Sequence, residues 1–241
     1  MREDLRAFWN TATAPAEGFR QRALAAPTLG AAVKGLLKFR TLPAFLGMAL
    51  SYLSFTWAYG RITRMEGSAF DFLWANLPPT VDQEAVRASL QDALRNLPAL
   101  PPLATVLFGL ALLAPLGVLS LWLHDAVWDH LALWALRGLG GRRSLRVTLE
   151  ADAEALKVGT LGALVSLLGD VPGLGCLFGI VTFPVGVYFW ILRGYALAAW
   201  HGCPPWKGVL ATLLHAFLMG LFTFGILGLF LVMILQELRP G

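Results

Sequence analysis

Charge is scarce in this chain. Only 14% of its 241 residues are Asp, Glu, Lys or Arg, against about 25% in a typical soluble domain. Cysteine is nearly absent: Cys176 and Cys203 are the two present, too few for a disulfide framework. There is no G-x-S-x-G nucleophile elbow, no H-E-x-x-H, no P-loop and no C-x-x-C, which removes the common signatures of serine hydrolases, zinc proteases, nucleotide hydrolases and dithiol redox proteins. The N-terminal MREDLRAFWN has no apolar core and no small-residue cleavage site, so no signal peptide is expected. The first membrane helix is expected to direct insertion.

Apolar side chains fill the space that charge leaves. Hydrophobic residues make up 57% and the mean hydropathy is +0.64, more apolar surface than a water-soluble core of this size can hide. The composition points to an all-α, polytopic membrane protein. The 19 basic and 15 acidic residues give a net charge of +4. That excess suits cytoplasmic-side Lys and Arg better than a nucleic-acid partner, and none is expected.

A spanning helix needs about 20 mostly apolar residues. Five stretches qualify as expectations: Leu42–Gly60, Leu103–Leu123, Ala153–Leu168, Leu174–Leu192 and Gly208–Leu235. No carboxylate lies near the middle of any of them, as a proton-coupled transporter would usually need. Basic-rich segments (1–40, 137–157, and the end of the chain's fourth loop at Arg193 and Lys207) alternate with basic-poor ones. This predicts five spans with the N-terminus inside and the C-terminus outside. The expected division is a cytoplasmic segment over 1–40 and a membrane domain over 41–241, with an external amphipathic connection at about 61–102. In a bacterium the location would be the inner membrane.

Two segments read as interfacial helices. Thr80–Leu97 carries a capping box from Thr80 to Gln83 and apolar residues at helical spacing. In His124–Arg137, Val127, Trp128, Leu131, Trp134 and Ala135 share one face, and Asp125, Asp129, His130 and Arg137 the other. This pattern predicts a helix in the headgroup plane with its polar face to water. His124, Asp125, Asp129 and His130 invite a metal reading, but His124 and His130, six residues apart, face different directions and no supporting hydrogen-bond partner can be named, so no metal or other cofactor is expected. Glu150, Asp152 and Glu154 read as acids at a helix start, with Lys157 either snorkelling to the inner headgroups or pairing with Glu154 or Glu150. His201 with Cys203 offers two ligands, short of a metal site. His215 reads as a histidine hydrogen-bonded within the bundle.

Arg142, Arg143, Arg146 and Lys207, with Arg193 beside them, form an expected basic inner rim. It would meet anionic lipid or an acidic protein partner. Gly162, Gly175, Gly179, Gly220 and Gly225 are expected to let helices approach within the bundle or across a homodimer.

Leu131–Leu149 (LALWALRGLGGRRSLRVTL), Asp170–Gly175 (DVPGLG), Trp200–Gly202 (WHG) and Lys207 opening the last span together resemble the bacterial branch of the Yip family, the Ypt/Rab-interacting membrane proteins. The resemblance covers roughly residues 103–235. It implies a five-span bundle with a cytoplasmic N-terminus and a role in membrane organisation. The function expected from the sequence is therefore a non-enzymatic scaffold or adaptor working through the basic rim. The alternative is a small-solute channel or transporter with a polar path past Thr160, Ser166, Thr182, His215 and Thr223. An intramembrane enzyme built on the His124–His130 cluster comes last.

Overall fold

The computed structural model describes residues 2–25, 27–65, 68–78, 82–141, 143–171 and 175–237. Among these the protein is all-α. The helices are α1 (Arg2–Thr13), α2 (Pro15–Leu24), α3 (Leu29–Thr63), α4 (Ser68–Ala75), α5 (Gln83–Arg95), α6 (Leu103–Ala135), α7 (Leu145–Val158), α8 (Thr160–Ser166), α9 (Gly175–His201) and α10 (Pro205–Glu237). A 3-10 turn over Leu167–Asp170 follows α8.

Three helices among the described residues are long and apolar enough to cross a membrane: Leu103–Ala135, Leu177–His201 and Pro205–Phe230. They contain or overlap the second, fourth and fifth expected spans. The first expected span lies inside α3. That helix has the length, but Ser51, Tyr52, Ser54, Thr56 and Tyr59 dilute its apolar stretch, and it is not one of the three. The third expected span is not one helix. The chain from Leu145 to Asp170 runs as α7, α8 and the 3-10 turn, jointed at Gly159. Its longest shorter apolar piece, Thr160–Asp170, is only about 16 Å long at 1.5 Å per residue.

Packing divides the molecule along its helices. The half holding the α6 C-terminus, α7 and the α9–α10 turn is dense. Phe8 and Phe19 of α1 and α2 dock there against Ala132, Leu133, Ala151, Leu192, Leu197 and Trp200. The Tyr188 hydroxyl donates to the Ala12 carbonyl, and Arg22 on α2 reaches Glu154 on α7 at 3.1 Å. The N-terminal segment is thus folded onto the bundle. A second core joins Ala32 and Leu36 of α3 to Val118 and Trp122 of α6 and Ala153 of α7, with Trp122 Nε1 donating to the Leu149 carbonyl at 2.9 Å. The other half is open: Leu221–Phe230 of α10 are all exposed, as are Phe108, Leu112, Leu177, Ile180 and Phe183. Such a surface suits hydrocarbon as solvent, where apolar side chains gain nothing by turning inward.

Two glycines set the tightest crossing. A Cβ on Gly208 would lie 2.0 Å from the Gly194 carbonyl oxygen, and one on Gly194 would lie 2.4 Å from Val209 Cα. α9 and α10 therefore meet backbone to backbone just past their connecting turn. That turn is closed by Gly202 in the left-handed region (φ +67°) and by the Cys203 amide donating to the Ala198 carbonyl at 3.1 Å. Gly140 (φ +53°) lets the α6–α7 loop pass the His201 carbonyl, where a Cβ would sit at 2.2 Å.

Three local expectations need correction. The α6 C-terminal turns are amphipathic but inverted: Val127, Leu131 and Trp134 face outward, while Asp125 and Asp129 are buried. In lipid the apolar face is the solvent face. Helix α7 starts at Leu145, with the Ser144 hydroxyl accepting from the Arg146 amide at 3.2 Å. Glu150, Asp152 and Glu154 therefore sit in mid-helix and not at the positive end of its dipole. Helix α5 is capped by Asp82, which accepts from Glu84 and Ala85 at 2.9 and 3.1 Å; Thr80 lies outside the described residues. No α5 residue is buried, and the Tyr52 and Tyr59 hydroxyls tie the following prolines, through the carbonyls of Pro101 and Pro98, to α3.

Candidate functional site: a buried ionic cluster beside a cavity

Three helices, α6, α7 and α9, bring one cation and three carboxylates together. Arg193 projects from α9. Its Nη1 lies 2.6 Å from Asp125 Oδ2, and its Nε lies 2.6 Å from Asp129 Oδ2 and 3.0 Å from Asp152 Oδ1. The contact with Asp152 has hydrogen-bond geometry, whereas Asp129 Oδ2 is an ionic contact without it and is one of the two orphaned buried oxygens. The other is Asp152 Oδ2. His215 on α10 completes the group: its Nδ1 contacts Asp129 Oδ1 at 2.7 Å and Arg193 Nη2 at 3.4 Å. Trp128 stacks on the His215 ring with centroids 6.4 Å apart and planes 16° off parallel. His124 Nδ1 lies 3.2 Å from Asp125 Oδ1.

Asp129 and Asp152 are fully buried, and Arg193, Asp125 and His215 nearly so. Taking one such charge from water costs several kcal/mol, and only close, geometrically good pairing offsets it. A polar group placed this deep among apolar helices marks a functional site by default.

The cluster opens onto a cavity of about 530 Å³. Arg40 from α3, Ser166, Asp170, Asp125, Arg193 and His215 supply its polar lining, and Phe189, Trp190 and Met219 part of its apolar wall. The Arg40 Nη1 donates to the Gly159 carbonyl at 3.0 Å, at the joint between α7 and α8. This volume lies within the usual range for small-molecule sites, roughly 300–1,000 Å³.

Two other buried polar groups lie outside the cavity. His130 Nδ1 and His201 Nε2 flank the Thr148 hydroxyl at 2.8 and 2.9 Å, tying α6, α7 and α9 together. Glu154 is held between Arg22 and Lys157, one of the pairings expected for Lys157.

The sequence candidates are dispersed differently from expectation. Arg193 is no rim residue; it is the centre of the buried cluster. His215 is hydrogen-bonded within the bundle, as its isolation predicted. Arg143 and Arg146 are exposed, with Arg146 Nε donating to Glu150 at 3.0 Å. Lys207 Nζ donates to the Arg137 carbonyl at 3.0 Å. Arg142 lies outside the described residues. Among the expected packing glycines, Gly162 sits under the Phe189 ring, where a Cβ would be 2.3 Å away, while Gly179, Gly220 and Gly225 have open space. Gly175 begins α9. On the expected polar path, Ser166 and His215 line the cavity, Thr182 lines a neighbouring one, the Thr160 hydroxyl donates back to Leu156, and Thr223 faces outward. His201 is committed to Thr148. Burial raises the Cys203 thiol above its ordinary value, and nearby Lys207 opposes this.

The residues that sequence reasoning left apart are Asp152, Arg193 and Asp129 as one unit. A signal existed: Arg193 and His215 stand away from the helix ends in long, largely apolar helices, and such residues require partners.

One further grouping is geometric. His124, Asp125 and His215 each present a ligand-capable atom within 4.8 Å of the other two. No protein-family model, curated protein or solved structure matches the chain.

Proposed function

We propose that this chain is a non-enzymatic polytopic membrane protein that takes a small polar solute or ion into the cavity between α3, α6, α7, α8, α9 and α10 and passes it across the bilayer. The observation that carries this reading is the ionic cluster of Asp125, Asp129, Asp152, Arg193 and His215 opening onto that cavity. A cluster needed only as glue between helices gains nothing from a 530 Å³ space beside it.

Depth supports the same reading. Trp134 and Trp206 are exposed at one end of α6 and α10, the place of interfacial aromatics. Asp125 and His215 lie about 14 Å further along those helices, near the middle of a hydrocarbon layer about 30 Å thick. In this account α3, α6, the jointed segment 145–170, α9 and α10 are the five membrane elements. The N-terminus is inside and the C-terminus outside, in the inner membrane if the source is a bacterium. A jointed helix is tolerated in a membrane where protein surrounds it or it lines a cavity. Ala151–Ala155 are all buried, and the stretch after the Gly159 joint borders the cavity.

The test is uptake into proteoliposomes from a panel of small carboxylic acids, amino acids and divalent cations. At least one is expected to enter faster than into empty liposomes. Gly186 lines the cavity and has open space at its Cβ position, so Gly186→Trp is expected to abolish that excess. Uptake equal to empty liposomes for the whole panel, or unchanged in Gly186→Trp, contradicts the proposal.

A second reading, the Yip-like scaffold, is favoured by the exposed Arg143 and Arg146 beside Lys207 at one end of the bundle. It requires that Arg143→Glu with Arg146→Glu release a bound partner or anionic lipid while leaving uptake unaltered.

A further inference from the structure

We infer that His124, Asp125 and His215 form a binding site for a divalent first-row metal cation, with Asp125 and His215 on the wall of the cavity. Their donor atoms come from α6 (His124 and Asp125) and α10 (His215), helices far apart in the chain, and converge within 4.8 Å. A bound cation, with metal–ligand bonds of about 2.0–2.2 Å, would draw the three atoms closer together.

Three further features favour a cation there. The first is how His215 is held. Its Nδ1 contacts the Asp129 carboxylate at 2.7 Å and its ring stacks on Trp128, which leaves Nε2 available. A carboxylate on the far nitrogen is the usual support of a metal-binding histidine: it fixes the ring and raises its basicity. The second is charge. Asp125, Asp129 and Asp152 face Arg193 as the one guanidinium inside the cluster. With both histidines neutral, as metal ligation requires, the three carboxylates outnumber the guanidinium that touches them. The third is division of labour on Asp125. Arg193 takes Oδ2 at 2.6 Å, and Oδ1 is the oxygen turned to His124.

Two imidazoles and one carboxylate suit zinc and its first-row neighbours better than magnesium or calcium, which prefer all-oxygen sites. Three protein ligands leave one or more positions for water or solute from the cavity. The inference rests on the cluster's geometry and not on passage of solute, so a failed uptake experiment leaves it standing.

The experiment uses the full chain, free of any histidine tag, in detergent, stripped with a chelator and titrated with Co²⁺. One equivalent is expected to bind and to give visible d–d absorption bands, with Zn²⁺ displacing it. His124 is partly exposed, so His124→Ala is expected to fold normally, shown by an unchanged unfolding midpoint without metal. It is expected to weaken Co²⁺ binding at least tenfold, and Asp125→Asn to do the same. Absence of stoichiometric binding in the native chain, or binding unchanged in His124→Ala, overturns the site.

Discussion

Replacing Arg193 by Gln is expected to be the most damaging single change in the protein, and replacing Asp152 by Asn far milder. Among the described residues, Arg193 is the one guanidinium touching Asp125, Asp129 and Asp152 together. Glutamine keeps the bulk of the side chain and removes the charge, which leaves three buried carboxylates facing each other. Breaking a buried pair from one side costs about 3–5 kcal/mol, and here one substitution breaks three contacts. Asp152→Asn works in the opposite direction: it removes one of the crowded negative charges and leaves Arg193 its other two partners. Thermal unfolding in detergent, followed by the intrinsic fluorescence of the nine tryptophans, measures both. The account predicts a large fall in midpoint for Arg193→Gln and a small one for Asp152→Asn. Equal falls would mean that the cluster is not short of positive charge.

The second large effect lies at the α9–α10 crossing. Gly208→Ala places a methyl 2.0 Å from the Gly194 carbonyl oxygen, and Gly194→Ala places one 2.4 Å from Val209 Cα. Both obstacles are backbone, so no side chain can swing aside and the helices must separate. Overpacking usually costs about 1–3 kcal/mol. Here the separation also stretches the Arg193–Asp129–His215 contacts, because Arg193 adjoins Gly194 in sequence. Gly225→Ala is the control: nothing lies within 4 Å of its Cβ position, and alanine is the better helix former by up to about 1 kcal/mol. Gly208→Ala is expected to lose the folded, monodisperse peak in size-exclusion chromatography, and Gly225→Ala to keep or sharpen it. Similar behaviour of the two would contradict the close crossing.

Hydropathy alone made α6, α9 and α10 legible, because long uncharged runs admit few other readings. It overstates continuity in 153–168, where Gly159 joints the largely buried α7 to the short α8. Amphipathicity was visible in 124–137, but its direction was not. The same alternation of faces puts Asp125 outward in water and inward in lipid, and only neighbours decide which. The acids of α7 looked like dipole partners because Ser144 was not recognised as the cap, which moved the apparent helix start. The ionic cluster stayed hidden for a simpler reason: Asp125, Asp152, Arg193 and His215 belong to four helices, and nothing in their spacing links them. Close-packing glycines were ambiguous for the same cause. Gly162 and Gly225 look alike in sequence; one meets Phe189 and the other meets nothing.

The central claim is that water reaches the ionic cluster through a cavity within lipid-embedded helices. Single cysteines at Gly47 and Ala216, both on the cavity wall, and at Leu227, exposed on the open half of α10, test it in membranes. Cys176 and Cys203 are first replaced by serine. A charged, membrane-impermeant thiol reagent is expected to label the two cavity positions quickly and to leave the Leu227 position unlabelled. Protection of both cavity positions, with labelling at 227, would contradict the account.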